Sequence, residues 1–280
     1  MSYKIIVDSC CDLTPNMRQL EEYVVVPLTL TVGGEDIIDD ESFDQLAFLR
    51  KVAQSPECPK SACPSPAAYL SEIEKAAGED VYIVTLSGEL SGSYNSAVNA
   101  KQMYEEEGGK KNVHIFNSRS AAAGEVCIAA KIKMVADTGK HFKEVVDSVE
   151  SYIDEMFTYF VLESLETLRK NGRLTRLQAI IANTLNIKPV MRGTFEGAIE
   201  KVEQVRGIKK ALQRMVSIIA TTAKHQEDRD AVISHCNCHD RAMYVKQLLE
   251  EECHFRKVII TDTRGVSSMY ANDGGVVVSA

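Results

Sequence analysis

The sequence predicts an α/β protein made of two α/β domains, the first around an open, mainly parallel sheet and the second around a mixed sheet. Three observations predict this. The 280 residues correspond to roughly two domains of ordinary size. Short β-branched runs alternate with helical patterns along the chain, as strands do when helices cover the faces of their sheet. Charge also divides the chain: residues 1–155 carry 26 acidic and 14 basic side chains, and residues 156–280 carry 14 and 18. Two units with different surfaces are expected, 1–155 and 156–280.

In chain order, residues 4–7, 81–86 and 113–116 read as strands, each leading through a small-residue loop into a helix. The helices are expected over 44–54, 66–77, 93–107, 121–136 and 143–154; in the last, Val146, Val149 and Ile153 recur at helical spacing. The second half opens with a strand over 156–162, a helical turn over 165–170, an Asn171-Gly-Arg173 turn and a helix over 174–185. Strands over 187–191 and 198–205 follow, around Gly193 and Gly197. A helix over 208–224, a strand over 231–234, a helix over 241–251 and strands over 257–261 and 276–279 complete the second unit.

Composition narrows the function classes. Hydrophobic residues at 45% with charged residues at 26% exclude wholesale disorder. A net charge of −8 makes a poor generic nucleic-acid binder. The longest apolar stretch, residues 23–32, contains a proline and two threonines and is about half of what spans a bilayer. The first residues read as a strand rather than a signal peptide. The eight cysteines lack the spacing of a secreted scaffold, so free thiols in a cytoplasmic, soluble protein are expected.

Three junctions share one chemistry. Ser61-Ala-Cys-Pro-Ser-Pro66 places Ser65 at an N-cap and Pro66 at the first helical position. Ser87-Gly-Glu-Leu-Ser-Gly-Ser-Tyr94 opens a helix with Ser91, Gly92 and Ser93, and Asn117-Ser-Arg-Ser120 precedes another. In an open parallel sheet such loops crowd the carboxyl edge, where ligands bind. Unpaired helix N–H groups, serine hydroxyls and close approach at Gly88 and Gly92 would suit a small anion. The plainer reading, that each serine only caps its helix, stays open. Neither a Walker pattern nor GxGxxG is present, so no nucleotide cofactor is indicated.

An enzyme acting on an acyl or small-anion substrate in the same crevice is the alternative. Gly88-Glu-Leu-Ser-Gly92 does not have the spacing of a nucleophile elbow. His114, in a strand, and His141, at a helix start, are not evident bases for a serine. Asp12 or Thr14 is expected to cap a helix starting at Pro15, and Cys10 and Cys11 lie near that helix start, where a thiol pKa can fall. His235-Cys-Asn-Cys-His239 packs four soft ligands into five residues, too close to complete one tetrahedron, and no metal is expected there.

As an ordered set, the motifs resemble the DegV family. They are Ile6-Val-Asp-Ser9 with Asp12-Leu13, Ser61-x-x-Pro-Ser-Pro66, Leu90-Ser-Gly-Ser-Tyr-x-Ser-Ala97, Leu165-x-x-Leu-x-Lys-x-Gly-Arg173, Leu185-Asn-Ile-Lys-Pro189, Gly197 and Val205-Arg-Gly-x-Lys-Lys-Ala211. The resemblance implies a two-domain α/β protein holding a long-chain fatty acid in a crevice between the domains. It implies a non-catalytic role, as the subunit that presents the bound carboxylate to a separate ATP-binding fatty acid kinase subunit. It places Ser61, Ser91, Gly92, Ser93, Arg173 and Tyr270 at the carboxylate. Ser61 stands where the family usually has threonine, Asn171 replaces a first glycine, and Tyr270 stands where the family often has histidine. Apolar residues of 157–162, 177–185 and 187–191 are candidates to line the acyl tunnel, or plain core.

One surface is read from periodicity. At about 100° per residue, Arg206, Lys209, Lys210 and Arg214 fall on one side of a helix and Ile208, Leu212, Met215 and Ile219 on the other. That basic stripe is either a solvated face or, given the resemblance, a dock for the kinase partner.

Overall fold

The computed structural model describes residues 2–78, 80–174 and 186–280. Residues 175–185 of the helix expected over 174–185, including the candidate tunnel residues within 177–185, lie outside the described residues.

The first sheet is parallel throughout. Its strands are β1 (Tyr3–Asp8), β2 (Tyr23–Val26), which follows the short helix α1 (Pro15–Arg18), and later β6 and β7. Between β2 and β6 the chain forms a hairpin, β3 (Thr29–Val32) and β4 (Glu35–Ile38), then α2 (Gln45–Gln54), β5 (Lys60–Ala62) and α3 (Pro66–Lys75). The parallel sheet resumes with β6 (Asp80–Thr85), α4 (Ser93–Glu106) and β7 (Asn112–Asn117), giving the order β2-β1-β6-β7. Every residue of β6 is buried, as a strand covered on both faces requires. Ile6, Val81 and Ile83 meet Tyr69 and Ile73 of α3 and Ala97 of α4 on one face.

The other face is covered by α5 (Ala123–Ala136) and α6 (Phe142–Glu155). The helix α5 packs on β1 and β6 and also on β11 and β13 of the second sheet. Its first two turns are buried nearly all round, while Ala130 and Met134 reach solvent further along. One core therefore runs from Ile5 and Val84 through Ile128 and Ile132 to Phe160 and Val277.

The second sheet is mixed, in the order β10-β9-β8-β13-β11-β12. It is built from β8 (Thr158–Val161), then α7 (Glu166–Lys170), the hairpin β9 (Ile187–Gly193) and β10 (Ile199–Arg206), and α8 (Ile208–Thr222). There follow β11 (Asp230–His235), α9 (His239–Glu252), β12 (Lys257–Asp262), α10 (Gly265–Ala271) and β13 (Val276–Ser279). Among the described residues, only β11 and β12 of this sheet pair in parallel. In β13, Val276 and Val278 face α8 and α9 while Val277 faces α5, the alternation of side chains along a strand.

The small sheet β4-β3-β5 is antiparallel and corrects the reading of the first junction. Ser61 does not sit at the edge of the parallel sheet. It lies in β5, opposite Leu30 of β3. Ser65 caps α3 as expected, accepting from Ala68 N at 3.2 Å, and Thr14 caps α1.

Candidate functional site

The carboxyl ends of β1 and β6, the small sheet, α10 and the inner face of the second sheet line a partly open cavity of about 110 Å³. Leu28, Leu86, Leu90, Phe160, Leu168 and Ile199 give it apolar walls. The tip of the β9–β10 hairpin closes one side. Gly197 there has φ +92°, and Ser87 Oγ donates to its carbonyl at 2.7 Å. A Cβ at Gly197 would collide with the Ser87 hydroxyl and come within 2.8 Å of Arg119 Cα, so only glycine fits.

Four of the six expected head-group residues line this cavity: Ser61, Ser91, Arg173 and Tyr270. All four are half-buried. The Ser61 and Tyr270 hydroxyls stand 3.2 Å apart, and the Arg173 guanidinium lies 5.7 Å from the centre of the Tyr270 ring. The turn after α7 carries Arg173: Gly172 takes φ +77°, and Arg173 N donates to Leu168 O at 2.8 Å. From there Arg173 Nε donates to Leu90 O at 3.0 Å, beside Ser91. Asn171, the residue that departs from the family pattern, donates through Nδ2 to Pro59 O at 2.9 Å. It ties the arginine turn to the strand that carries Ser61.

The other two stand one layer back. Gly92 caps α4 and is exposed; a Cβ there would come within 3.0 Å of Cys63 Sγ. Ser93 is fully buried, with its Oγ 3.0 Å from Ser91 Oγ.

Tyr270 is positioned by a residue the sequence reading missed. Asp39 accepts from Gly265 N at 2.7 Å and from Val266 N at 2.8 Å, holding the start of α10. At the other end, Asn272 takes φ +57° and bonds to Ser164 O and to Thr167 Oγ1. Nothing local in the sequence marks Asp39, because its partners lie 226 and 227 residues away. Burial raises the Tyr270 pKa, against lowering by Ser61 and Arg173, so the phenol stays a neutral donor at physiological pH.

The chemistry on offer is recognition of a carboxylate: three hydroxyls and one guanidinium beside an apolar chamber. No histidine is among the residues that line it, and the Ser91 hydroxyl is paired with Ser93 rather than with a base. The thiols of Cys10 and Cys11 are buried core groups rather than activated ones. Burial pushes both pKa values well up, and the Glu125, Asp8 and Asp12 carboxyls add to the effect. In the His235–His239 segment, His235 Nδ1 accepts from Cys238 N at 3.3 Å, and Cys238 Sγ points to Gly275 O.

The basic stripe is also revised. Arg206 ends β10, and Gly207 with φ +89° separates it from α8, so helical rotation does not place it. Lys209, Lys210 and Arg214 are exposed on α8, and Ala211, Leu212, Met215, Val216 and Ile219 form the buried face. Arg214 makes a two-point pair with Glu203, the closest contact being 2.8 Å. Lys209 sits 5.2 Å from the Tyr244 ring centre.

Comparison with known proteins adds to this geometry. A family profile described as "Uncharacterised protein, DegV family" matches residues 2–280. A DegV domain-containing protein of Streptococcus pneumoniae is 33% identical over 279 residues, covering 99% of this chain and 98% of the relative. The crystal structure of a DegV family protein from Ruminococcus gnavus with vaccenic acid is 48% identical, with a TM-score of 0.97 and complete coverage of both chains. The fatty acid kinase (Fak) B3 protein of Streptococcus pneumoniae, loaded with linoleic acid, is 32% identical with a TM-score of 0.91, covering 100% of this chain and 99% of its own.

Proposed function

This chain belongs to the DegV family, and on that premise we propose that it is a non-catalytic carrier of a long-chain fatty acid, presenting the carboxylate to a separate ATP-binding kinase subunit in the cytoplasm. The observation that carries this reading is the joining of one apolar cavity to a half-buried cluster of Ser61, Ser91, Arg173 and Tyr270. Each methylene buried is worth about 0.8 kcal/mol, so a dozen contribute roughly 10 kcal/mol and dominate affinity. The head-group bonds, about 1.5–3 kcal/mol each, fix which end faces outward. Relatives solved with vaccenic and linoleic acids support the same ligand class.

Presentation rather than catalysis fits the donors. Neutral hydroxyls and a guanidinium hold a carboxylate without supplying a base or a phosphoryl donor, so a partner has to bring the phosphate. The name of the pneumococcal relative, a fatty acid kinase protein, supports that partner. The exposed cations Arg206, Lys209 and Lys210 would speed its approach if its surface is acidic, with Arg214 held back by Glu203. No helix among the described residues is long and apolar enough to cross a membrane. The test is thermal: delipidated protein should melt at a higher temperature as palmitate is added, since a ligand that binds only the folded state stabilises it. An unchanged melting temperature at saturating palmitate contradicts the reading.

A further inference from the structure

A second polar cluster lies behind the serine loop, and carboxylate recognition leaves it unused. Asp8, ending β1, and Glu125, in the first turn of α5, are both fully buried. Their carboxyl oxygens and Cys10 Sγ lie within 4.8 Å of one another. Asp8 is well anchored: Oδ1 accepts from Cys10 N at 3.0 Å and Oδ2 from Leu86 N at 2.9 Å. Among the described residues, neither oxygen of Glu125 has a hydrogen-bond partner, and the buried Tyr69 hydroxyl nearby has none either. The ion pairs among the described residues include neither carboxyl.

Two carboxylates this close in a dry interior cannot both be ionised. The backbone N–H groups favour the charge on Asp8, which leaves Glu125 to carry the proton and Asp8 to accept it. The titratable groups facing the pair are Cys10, Cys11 and Asp12 from the segment after β1, and Tyr69 from α3. Burial keeps both thiols and the phenol neutral, so Asp12 is the one further carboxyl. The pair also reaches the cavity. Cys10, whose Sγ lies within 4.8 Å of both carboxyls, lines the cavity together with Ser91.

We infer that Asp8 and Glu125 hold one shared proton and sense the head-group site across Cys10, so that seating a carboxylate on Ser91 draws a second proton from solvent onto the pair. This rests on the carrier reading. No covalent bond changes. A new negative charge near a singly protonated pair raises its proton affinity, and by linkage the pair binds carboxylate more tightly as protons are supplied.

The experiment is titration calorimetry of delipidated protein with palmitate at neutral pH, in buffers of different ionisation enthalpy. The expected result is an observed enthalpy that varies with the buffer in the sense of proton uptake. Affinity should weaken as pH rises from about 6 to 8, by up to about tenfold per unit at full uptake. Asp8→Asn, which removes the carboxylate that takes up the second proton, should remove both effects. If that variant fails to fold, infrared difference spectra of the wild type with isotope-labelled palmitate serve instead. The carbonyl stretch of a buried carboxylic acid should be present without ligand and should change when ligand binds. Palmitate binding with no buffer dependence overturns the coupling alone. No acid band, or a stoichiometric metal ion found by elemental analysis in place of the proton, overturns the shared-proton pair. Absence of any palmitate binding overturns the carrier reading, and the coupling with it, while the band in unliganded protein still reports on the pair.

Discussion

The hydroxyls of Ser61 and Tyr270 stand 3.2 Å apart although 209 residues separate them. The contact joins a three-residue strand of the small antiparallel sheet to the last turn of α10. A carboxylate has two oxygens, and two neighbouring neutral donors match them without placing a negative group nearby. The Arg173 guanidinium, facing the same ring, adds positive charge.

If the Tyr270 and Ser91 hydroxyls are head-group donors, Tyr270→Phe and Ser91→Ala should each weaken palmitate binding by about 1.5–3 kcal/mol, the range for hydrogen bonds to a charged group. Their circular dichroism should match the wild type. Fluorescence competition with a bound probe fatty acid measures both, and an unchanged affinity removes that residue from the site.

Asp39 acts on the same site from a distance. Asp39→Ala would strip the acceptors from Gly265 N and Val266 N, both in a buried segment. Denaturant melts should show a loss of about 2–4 kcal/mol, from unsatisfied buried donors. Palmitate affinity should fall as well, because α10 carries Tyr270. A stable variant with wild-type affinity would show that α10 is held by packing alone.

A third expectation concerns pH and stability. Asp12 is fully buried, with its pKa raised by desolvation from 3.8 to about 7. A carboxyl raised in the folded state contributes stability below its unfolded pKa, and that stability is lost as pH rises through the folded pKa. The wild type should therefore gain on Asp12→Asn as pH falls, by about 2 kcal/mol between pH 8 and 5.5. Parallel denaturant melts at the two pH values measure this. A stability difference that does not change with pH would mean that Asp12 stays ionised.

The cations around α8 give a prediction about rate. Reversing Lys209 and Lys210 to glutamate should leave palmitate affinity intact and slow phosphorylation of the bound fatty acid by a cognate kinase. The wild-type rate should also fall as salt rises, because screening shortens the reach of surface charge. Equal rates for the two proteins at low salt would make the stripe a solvated face.

Much of this arrangement was legible in the sequence, and the illegible parts share a cause. The runs at 4–7 and 81–86 announced buried parallel strands because both faces of β1 and β6 are covered by helices. Ser91 was marked by a local signal, a helix start, whereas Arg173 was placed only by the resemblance to the family's Gly-Arg turn. Ser61 was assigned to the wrong sheet because β5 is three residues long and exists only through its pairing with β3. Gly207 was itself a warning that Arg206 lay off the helix, as a lone glycine between a strand and a helix often marks a break. Asp8, Glu125 and Asp39 were opaque, since burial and distant partners define them rather than spacing.

The central claim is that the cavity between the serine loop and the second sheet holds a fatty acid. Denaturing mass spectrometry of small molecules extracted from freshly purified protein tests it most directly. The account predicts long-chain fatty acid at close to one molecule per chain, and a marked drop in recovery from the Ser91→Ala and Tyr270→Phe variants. Protein that comes away clean, and stays clean after incubation with palmitate and removal of the excess, would contradict it.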